Sequence, residues 1–369
     1  MNIAFRVDAS LQIGTGHVMR CLTLADALLQ RGAKCCFICR PHHGHLLELI
    51  TQRGHHAIAL PQLESCSELS FTDTAHAYWL GVNWATDAQD TLNVLSEQIG
   101  NQIIDWLVVD HYSLDARWEQ ALRLKSQRIM VIDDLADRAH DCDLLLDQNL
   151  GRKEQDYYDL LKGEPVTLLG PKYALLRPEF AALRQQSLAR RSSCSKLRHL
   201  LITMGGVDKD NFTGMILNAL QACLLPSDLQ ISVVMGPHAP WLGQVQAEAG
   251  KIPWRTEVFV DVKNMAYLMA DCDLAIGAAG STSWERCCLG LPTLQIVLAQ
   301  NQEFIAQALN NAGAALTLDG QDISKSLATK ISTITTQDHF KKISIVCSSI
   351  AQGHGSTLVS RCMNNEEIL

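Results

Sequence analysis

The sequence has no basic stripe. Its Lys and Arg residues are scattered through a chain of formal net charge −8, so nucleic acid is not an expected partner. No apolar run approaches the ~20 residues that span a bilayer, and Arg6 and Asp8 in MNIAFRVDAS fall too early for the apolar region of a signal peptide. The expectation is a cytoplasmic protein with no membrane partner. A disulfide framework is missing too: thirteen cysteines, an odd number, read as reduced thiols used as small core residues. The stretch CCFICRPHHGH, residues 35–45, places Cys36, Cys39, His42, His43 and His45 at spacings that pass for zinc ligands. AKCCFICR reads as a strand, however, and would turn residues 36 and 39 to opposite faces, so no metal is expected. Neither a G-x-G-x-x-G dinucleotide turn nor a G-x-x-x-x-G-K-[ST] phosphate loop occurs, nothing suggests a flavin or nicotinamide, and no cofactor is expected.

What is present is a globular composition: 369 residues, 47% hydrophobic and 19% charged, a length that suits two domains. Short apolar strands alternate with amphipathic helices. In the first half the strands are 2–8, 34–40, 105–110, 128–133, 143–147 and 166–170. In the second they are 199–205, 229–236, 256–261, 273–277, 292–298 and 314–319. Near-continuous apolar strands separated by helices mean parallel sheets covered on both faces. A helix over 17–31 is the clearest case, with Val18, Cys21, Leu22, Ala25 and Leu28 at helical spacing and Gly32 placed to end it. RRSSCSK, near 190–197, reads as a linker. The fold class is α/β: two Rossmann-like doubly wound parallel-sheet domains facing a cleft. Their expected spans are 1–190 and 191–345, with a tail, 346–369, folding back on the first. The sequence specifies no oligomeric state.

Ligands of such sheets bind outside the carboxyl ends of the strands, and two glycine turns stand at that edge. In QIGTGHVMR, residues 12–20, Gly14 and Gly16 permit a tight turn and keep bulk away from a ligand. They precede His17, whose reference pKa of ~6.5 suits a general base. In GAAGSTSWE, residues 277–285, Gly280 allows close backbone approach and Ser281, Thr282 and Ser283 open a helix. The free N–H groups there favour a pyrophosphate, and Glu285 is placed to accept from ribose hydroxyls. A capped helix with Glu285 in its first turn explains the same residues equally well. Asp8, at the end of the first strand, could orient His17, bind a sugar or cap the turn. Arg20, one turn from His17, could meet phosphate. His111 and Tyr112, Asp133 and Asp134, and Gln148 and Asn149 each follow a strand and are candidates to touch a sugar. Gly205 and Gly206, in the GGVD turn, are candidates on the nucleotide side.

GAAGSTSWERCCLGLP resembles the nucleotide-sugar site of GT-B glycosyltransferases, notably the enzyme that adds N-acetylglucosamine in lipid II synthesis. A resemblance over nearly the whole chain is carried by FRVDASLQIGTGHVMRCLTLADAL, VIDDLADR, LLDQNLGR, LLGPKYALLRPEF, MGGVD and AQNQ. These are similar to the UDP-2,4-diacetamido-2,4,6-trideoxy-β-L-altropyranose hydrolases of bacterial pseudaminic acid biosynthesis, a route tied to flagellin glycosylation. The resemblance implies a two-domain GT-B fold, a UDP-sugar substrate, water as acceptor, inversion at the anomeric carbon and no metal. It implies that His17 is the catalytic base. Ser281, Thr282 and Glu285 would be UDP ligands. Asn301, with Gln302 beside it, would lie at the sugar side, and by the looser glycosyltransferase match the backbone near Val260 would meet the uracil. The alternative is a GT-B glycosyltransferase that passes the sugar to an acceptor other than water.

Overall fold

The computed structural model describes residues 1–62, 74–100, 102–193 and 196–366. The chain forms two compact units. One is Met1–Leu175 together with the chain from Ser356 on; the other is Leu176–Gly355.

The sheet of the first unit contains β1 (Asn2–Val7), β2 (Lys34–Cys39), β3 (His56–Ala59), β4 (Ile104–Asp110), β5 (Ser126–Ile132), β6 (Leu144–Asp147) and β7 (Val166–Leu169). All pairs are parallel, in the order β3-β2-β1-β4-β5-β6-β7. Both faces are covered. Phe5 stacks on Phe37, with ring centroids 4.7 Å apart, on the face that receives Val18, Cys21, Leu22, Ala25 and Leu28 of helix Gly16–Leu29. Ala4, Ile38, Leu107 and Val109 point the other way, into a core with Leu114 and Trp118. The expected apolar stripe of the first helix is therefore its buried face, and Gly32 follows with φ +81°, a conformation suited to glycine. Cys39 belongs to one core and Cys36 packs against the other, as strand alternation requires. The cysteines among the described residues are free, and these residues hold no group of three or more side chains able to bind a metal.

The second sheet contains β8 (His199–Thr203), β9 (Gln230–Met235), β10 (Arg255–Val260), β11 (Leu274–Ala278), β12 (Thr293–Ile296) and β13 (Ala315–Thr317). It is also parallel, in the order β10-β9-β8-β11-β12-β13. Both sheets thus run outward in two directions from a first strand, the doubly wound arrangement, and each has its switch point between its first and fourth strands.

The sequence places a domain boundary at 190, whereas the units divide at Leu175/Leu176. The reason is helix Pro178–Ser193, which is fastened to the second unit by the buried Arg191 and the half-buried Arg184. Arg191 donates to the carbonyls of Leu289, Cys272 and Met269, and Arg184 to those of Cys288, Ser348 and Ala351. The proposed linker is thus helical to Ser193; residues 194 and 195 lie outside the described set. At the other end, helix Gln337–Ile350 stays with the second unit, where Cys347 is buried. The stretch that joins the first unit is shorter than 346–369. It begins at Ser356, buries Val359 and Met363 in the core, and gives the Met363 carbonyl to Trp106 Nε1 at 3.0 Å.

Candidate functional site

At the first switch point, between the carboxyl ends of β1 and β4, the chain leaves β1 into a tight turn. Ser10 Oγ accepts from the N–H groups of Gln12 and Ile13, and Gly14 donates to the Ser10 carbonyl at 2.8 Å with φ +81°. A Cβ on Gly14 would touch nothing, so the backbone conformation, not space, calls for glycine there. Gly16 is exposed and opens the helix, and His17 follows, 8% exposed.

His17 Nδ1 lies 2.6 Å from Asp110 Oδ1, at the end of β4. Arg20 clamps the same carboxylate from one turn further along the helix, Nε to Oδ2 and Nη2 to Oδ1, both 2.6 Å. Burial alone would raise the Asp110 pKa, but the charge of Arg20, with His17 beside it, holds this carboxyl well below the usual range. An ionised carboxylate only accepts, so Nδ1 carries a proton, and in the neutral ring Nε2 then holds the lone pair. Arg20 Nη2, 3.3 Å from His17 Nδ1, therefore lies against a donor rather than bonding to it.

Arg20 Nη1 reaches Asp134 Oδ2 at 2.5 Å, and Tyr112 donates to that oxygen at 2.8 Å. The Tyr112 ring stands edge-on to His17 with centroids 4.6 Å apart. Burial and the neighbouring Asp134 push the Tyr112 phenol well above its ordinary pKa, so it is a donor, not an acceptor. Asp110 is absent from the sequence-derived candidates, yet it is what orients His17. Its signal was its position, a charge ending the apolar run DWLVVD.

Several candidates take other roles. Asp8 is fully buried. Arg6 binds it through two bonds of 2.6 and 2.9 Å, the Arg40 N–H donates to it at 2.7 Å, and His111 lies 3.2 Å away. It thus neither orients His17 nor is open to a sugar. Arg20 is buried and spends three of its donors on Asp110 and Asp134, carboxylates of its own chain. Asn149 is 1% exposed, with Nδ2 on the Asp134 carbonyl, and Gln148 Oε1 accepts from the Leu175 N–H. Both hold loops behind the site. Asp133 is buried against Arg138 and Tyr157.

The second switch point, between β8 and β11, is built from small residues. Gly205, with φ +87°, and Gly206 are exposed after β8. A Cβ on Gly236 would come 2.0 Å from the Gly206 carbonyl, so the loops after β8 and β9 abut backbone to backbone. Helix Phe212–Leu220 is already capped by its own chain: Asp208 accepts from Phe212 and Thr213 N–H, and Asn211 from Gly214 N–H. After β11, Gly277 leaves no room for a Cβ beside Arg286 Nη1 and the Thr203 carbonyl. Gly280 is partly exposed and Ser281 exposed, its side chain not spent on capping. Gln302 Nε2 lies near Gly280, Asn301 is partly exposed in the turn Gln300–Gln302, and Val260, 38% exposed, ends β10.

Two charges complete this site. Arg286 is 2% exposed and donates to the Ala278 carbonyl, Ser283 Oγ and Thr282 Oγ1. Among the described residues no carboxylate lies within 4 Å of it, and burial lowers its pKa. A buried cation without a counter-charge favours an anion nearby. Glu285 is raised to about 7 by burial, against the pull of Arg177 and Arg286. A cavity of about 540 Å³ elsewhere in this unit, lined by Leu183, Phe259 and Tyr267 among others, contains none of these candidates.

Residues 199–351 match the glycosyltransferase family 28 C-terminal domain. The UDP-2,4-diacetamido-2,4,6-trideoxy-β-L-altropyranose hydrolase of Campylobacter jejuni is 29% identical over 314 residues, covering 85% of this chain and 97% of that protein. The spore coat polysaccharide biosynthesis protein SpsG of Bacillus subtilis is 30% identical over 121 residues, 33% of this chain and 35% of that one. Among solved structures, MurG of Acinetobacter baumannii superposes with a TM-score of 0.71 at 15% identity, covering 99% of both chains. The spinosyn rhamnosyltransferase SpnG, complexed with thymidine diphosphate, gives 0.60 at 17% identity, covering 99% of this chain and all of that one. The fold is that of the GT-B glycosyltransferases, and over most of its length the sequence is similar to the altropyranose hydrolase.

Proposed function

We propose that this chain, a UDP-sugar-processing enzyme by its relatives and fold, is a hydrolase. Its substrate would be UDP-2,4-diacetamido-2,4,6-trideoxy-β-L-altropyranose, as in pseudaminic acid biosynthesis. The observation that carries this reading is the bond from His17 to Asp110, itself clamped by Arg20. With Nδ1–H committed to Asp110, Nε2 is the atom that takes a proton from water. The water oxygen bonds to the anomeric carbon as the bond from that carbon to the phosphate oxygen breaks. The electron pair leaves on UDP, and Tyr112 frames the base. In the second unit Gly205, Gly206, Gly280, Ser281 and Thr282 provide small or hydroxyl-bearing surfaces for the diphosphate, with the Arg286 charge behind them. Glu285 takes the ribose, Val260 the uracil, and Asn301 and Gln302 the sugar side.

One base implies one displacement and inversion. The carboxylates near His17 do not offer a second route of equal merit. Asp110 is buried with both oxygens bonded, and Asp134 carries bonds from Arg20 and Tyr112 on Oδ2. The test is UDP release from the UDP-sugar alone, with and without EDTA, while ¹H NMR follows the first-formed anomer. Release without acceptor, unchanged by EDTA and with the inverted anomer, supports the proposal. Strict dependence on an acceptor makes the chain a transferase. Retention moves the nucleophile's role to Asp134.

A further inference from the structure

How the sugar is distinguished from other UDP-linked sugars is not explained by His17, Asp110 or the nucleotide side. The substrate proposed above differs from an ordinary N-acetylhexosamine by a second acetamido group, with its carbonyl and methyl, and by a methyl at C6. A protein reads such groups with an aromatic surface bearing a polar handle.

Beside His17 there is one such surface that the reaction as written does not use. Trp79 stacks on Tyr112, with centroids 5.7 Å apart and planes at 25°, and stands edge-on to His17 at 6.4 Å. His76 lies against it at 4.5 Å and against Tyr112 at 5.6 Å. The segment is pinned to the first switch point: Ser113 Oγ donates to the His76 carbonyl at 2.6 Å, and the Trp79 N–H donates to the same carbonyl at 2.9 Å. Burial lowers the pKa of His76, which keeps its ring an uncharged neighbour of Trp79. Trp79 remains partly exposed, and its indole N–H has no hydrogen-bond partner among the described residues. An indole fixed on two sides, with an open part and an unspent donor, beside the catalytic base, is organised for a ligand rather than for packing.

Resting on the hydrolase reading, we propose that Trp79 is a specificity-determining residue that covers the methyl-bearing edge of the diacetamido sugar and donates its Nε1–H to an acetamido carbonyl. His76 is the positioning residue that holds the indole in place.

The experiment measures kcat/KM for the diacetamido-trideoxy UDP-sugar and for UDP-N-acetylglucosamine in wild type, Trp79→Phe and Trp79→Ala, with UDP affinity by calorimetry as control. Trp79→Phe keeps the ring and loses the donor. The preference for the diacetamido sugar should fall roughly 3–10-fold in Trp79→Phe and on the order of 10–100-fold in Trp79→Ala. UDP affinity should stay within twofold. An unchanged preference in both variants overturns the inference, as does a parallel loss for both sugars. A wild type that hydrolyses neither sugar instead refutes the hydrolase reading. In that event the same variants still decide the inference, through the difference between UDP-sugar and UDP binding.

Discussion

At the first switch point charge is packed against charge. Asp110 is held by His17 and Arg20, Asp134 by Arg20 and Tyr112, and Asp8 by Arg6. At the second, the corresponding strand ends carry Gly205, Gly206, Gly280 and Ser281, and the buried cation Arg286 has carbonyl and hydroxyl partners rather than a carboxylate. The first six strands of each sheet follow the same order, and the first sheet adds a seventh at its edge. Topology therefore fixes where a ligand can meet each sheet, and the residues there decide what is done to it. A dense, neutralised network holds one histidine in one tautomer. Small residues over an unneutralised charge suit a diphosphate.

Removing His17 tests this division most severely. His17→Ala should lower kcat on the order of 10³–10⁴-fold, as expected for loss of a general base, while UDP affinity by calorimetry stays within twofold. A large loss of UDP affinity would mean that the two switch points do not divide the labour this way. Asp110→Asn comes next. The asparagine amide can donate to Nδ1 and drive the proton to Nε2, the wrong tautomer for a base. The expected loss in kcat is on the order of 10²–10³-fold, again with UDP affinity retained. The ¹⁵N signals of the two His17 ring nitrogens should exchange their protonation pattern. A fall in kcat without that exchange would leave Asp110 a purely structural residue.

Much of this was legible in the sequence, for physical reasons that also mark its limits. Strands such as NIAFRV and DWLVVD stand out because a parallel strand is buried on both faces and so reads as a continuous apolar run. β3 was not read. HAIA is four residues at the sheet edge, with no fully buried position among them. His17 was visible because a glycine turn before a helix is a local feature. Asp110 lies 93 residues away and becomes its neighbour only because β1 pairs with β4. Asp8 was misjudged for a related reason. A carboxylate ending a strand looks the same whether it meets a ligand or, as here, a buried arginine two residues before it that is itself bound to Asp87, 81 positions along. Arg286 passed unnoticed because burial without a partner is a property of packing, and no spacing announces it.

The smallest predicted effect contrasts the carboxylates themselves. Asp110 and Asp8 both have pKa values held well below the ordinary range: burial pushes each up, but an arginine and the neighbouring histidines together outweigh it. Glu285 goes the other way, to about 7, because burial dominates while Arg177 stands 3.9 Å off. If its ionised form accepts the ribose hydroxyls, UDP affinity should rise roughly tenfold between pH 6 and pH 8, following the ionised fraction of a group titrating near 7. Glu285→Gln should remove that part of the pH dependence. The same shift has a consequence for stability. A carboxyl whose folded pKa lies above its unfolded value favours folding fully only below the unfolded pKa, and that contribution is lost as pH rises through about 7. Glu285→Gln should therefore raise Tm relative to wild type at pH 8 and leave it nearly unchanged at pH 4.5. Wild-type UDP affinity that differs from the variant's by the same factor at pH 6 and pH 8 would remove Glu285 from the nucleotide site. The Tm comparison would still report whether its carboxyl titrates near neutrality.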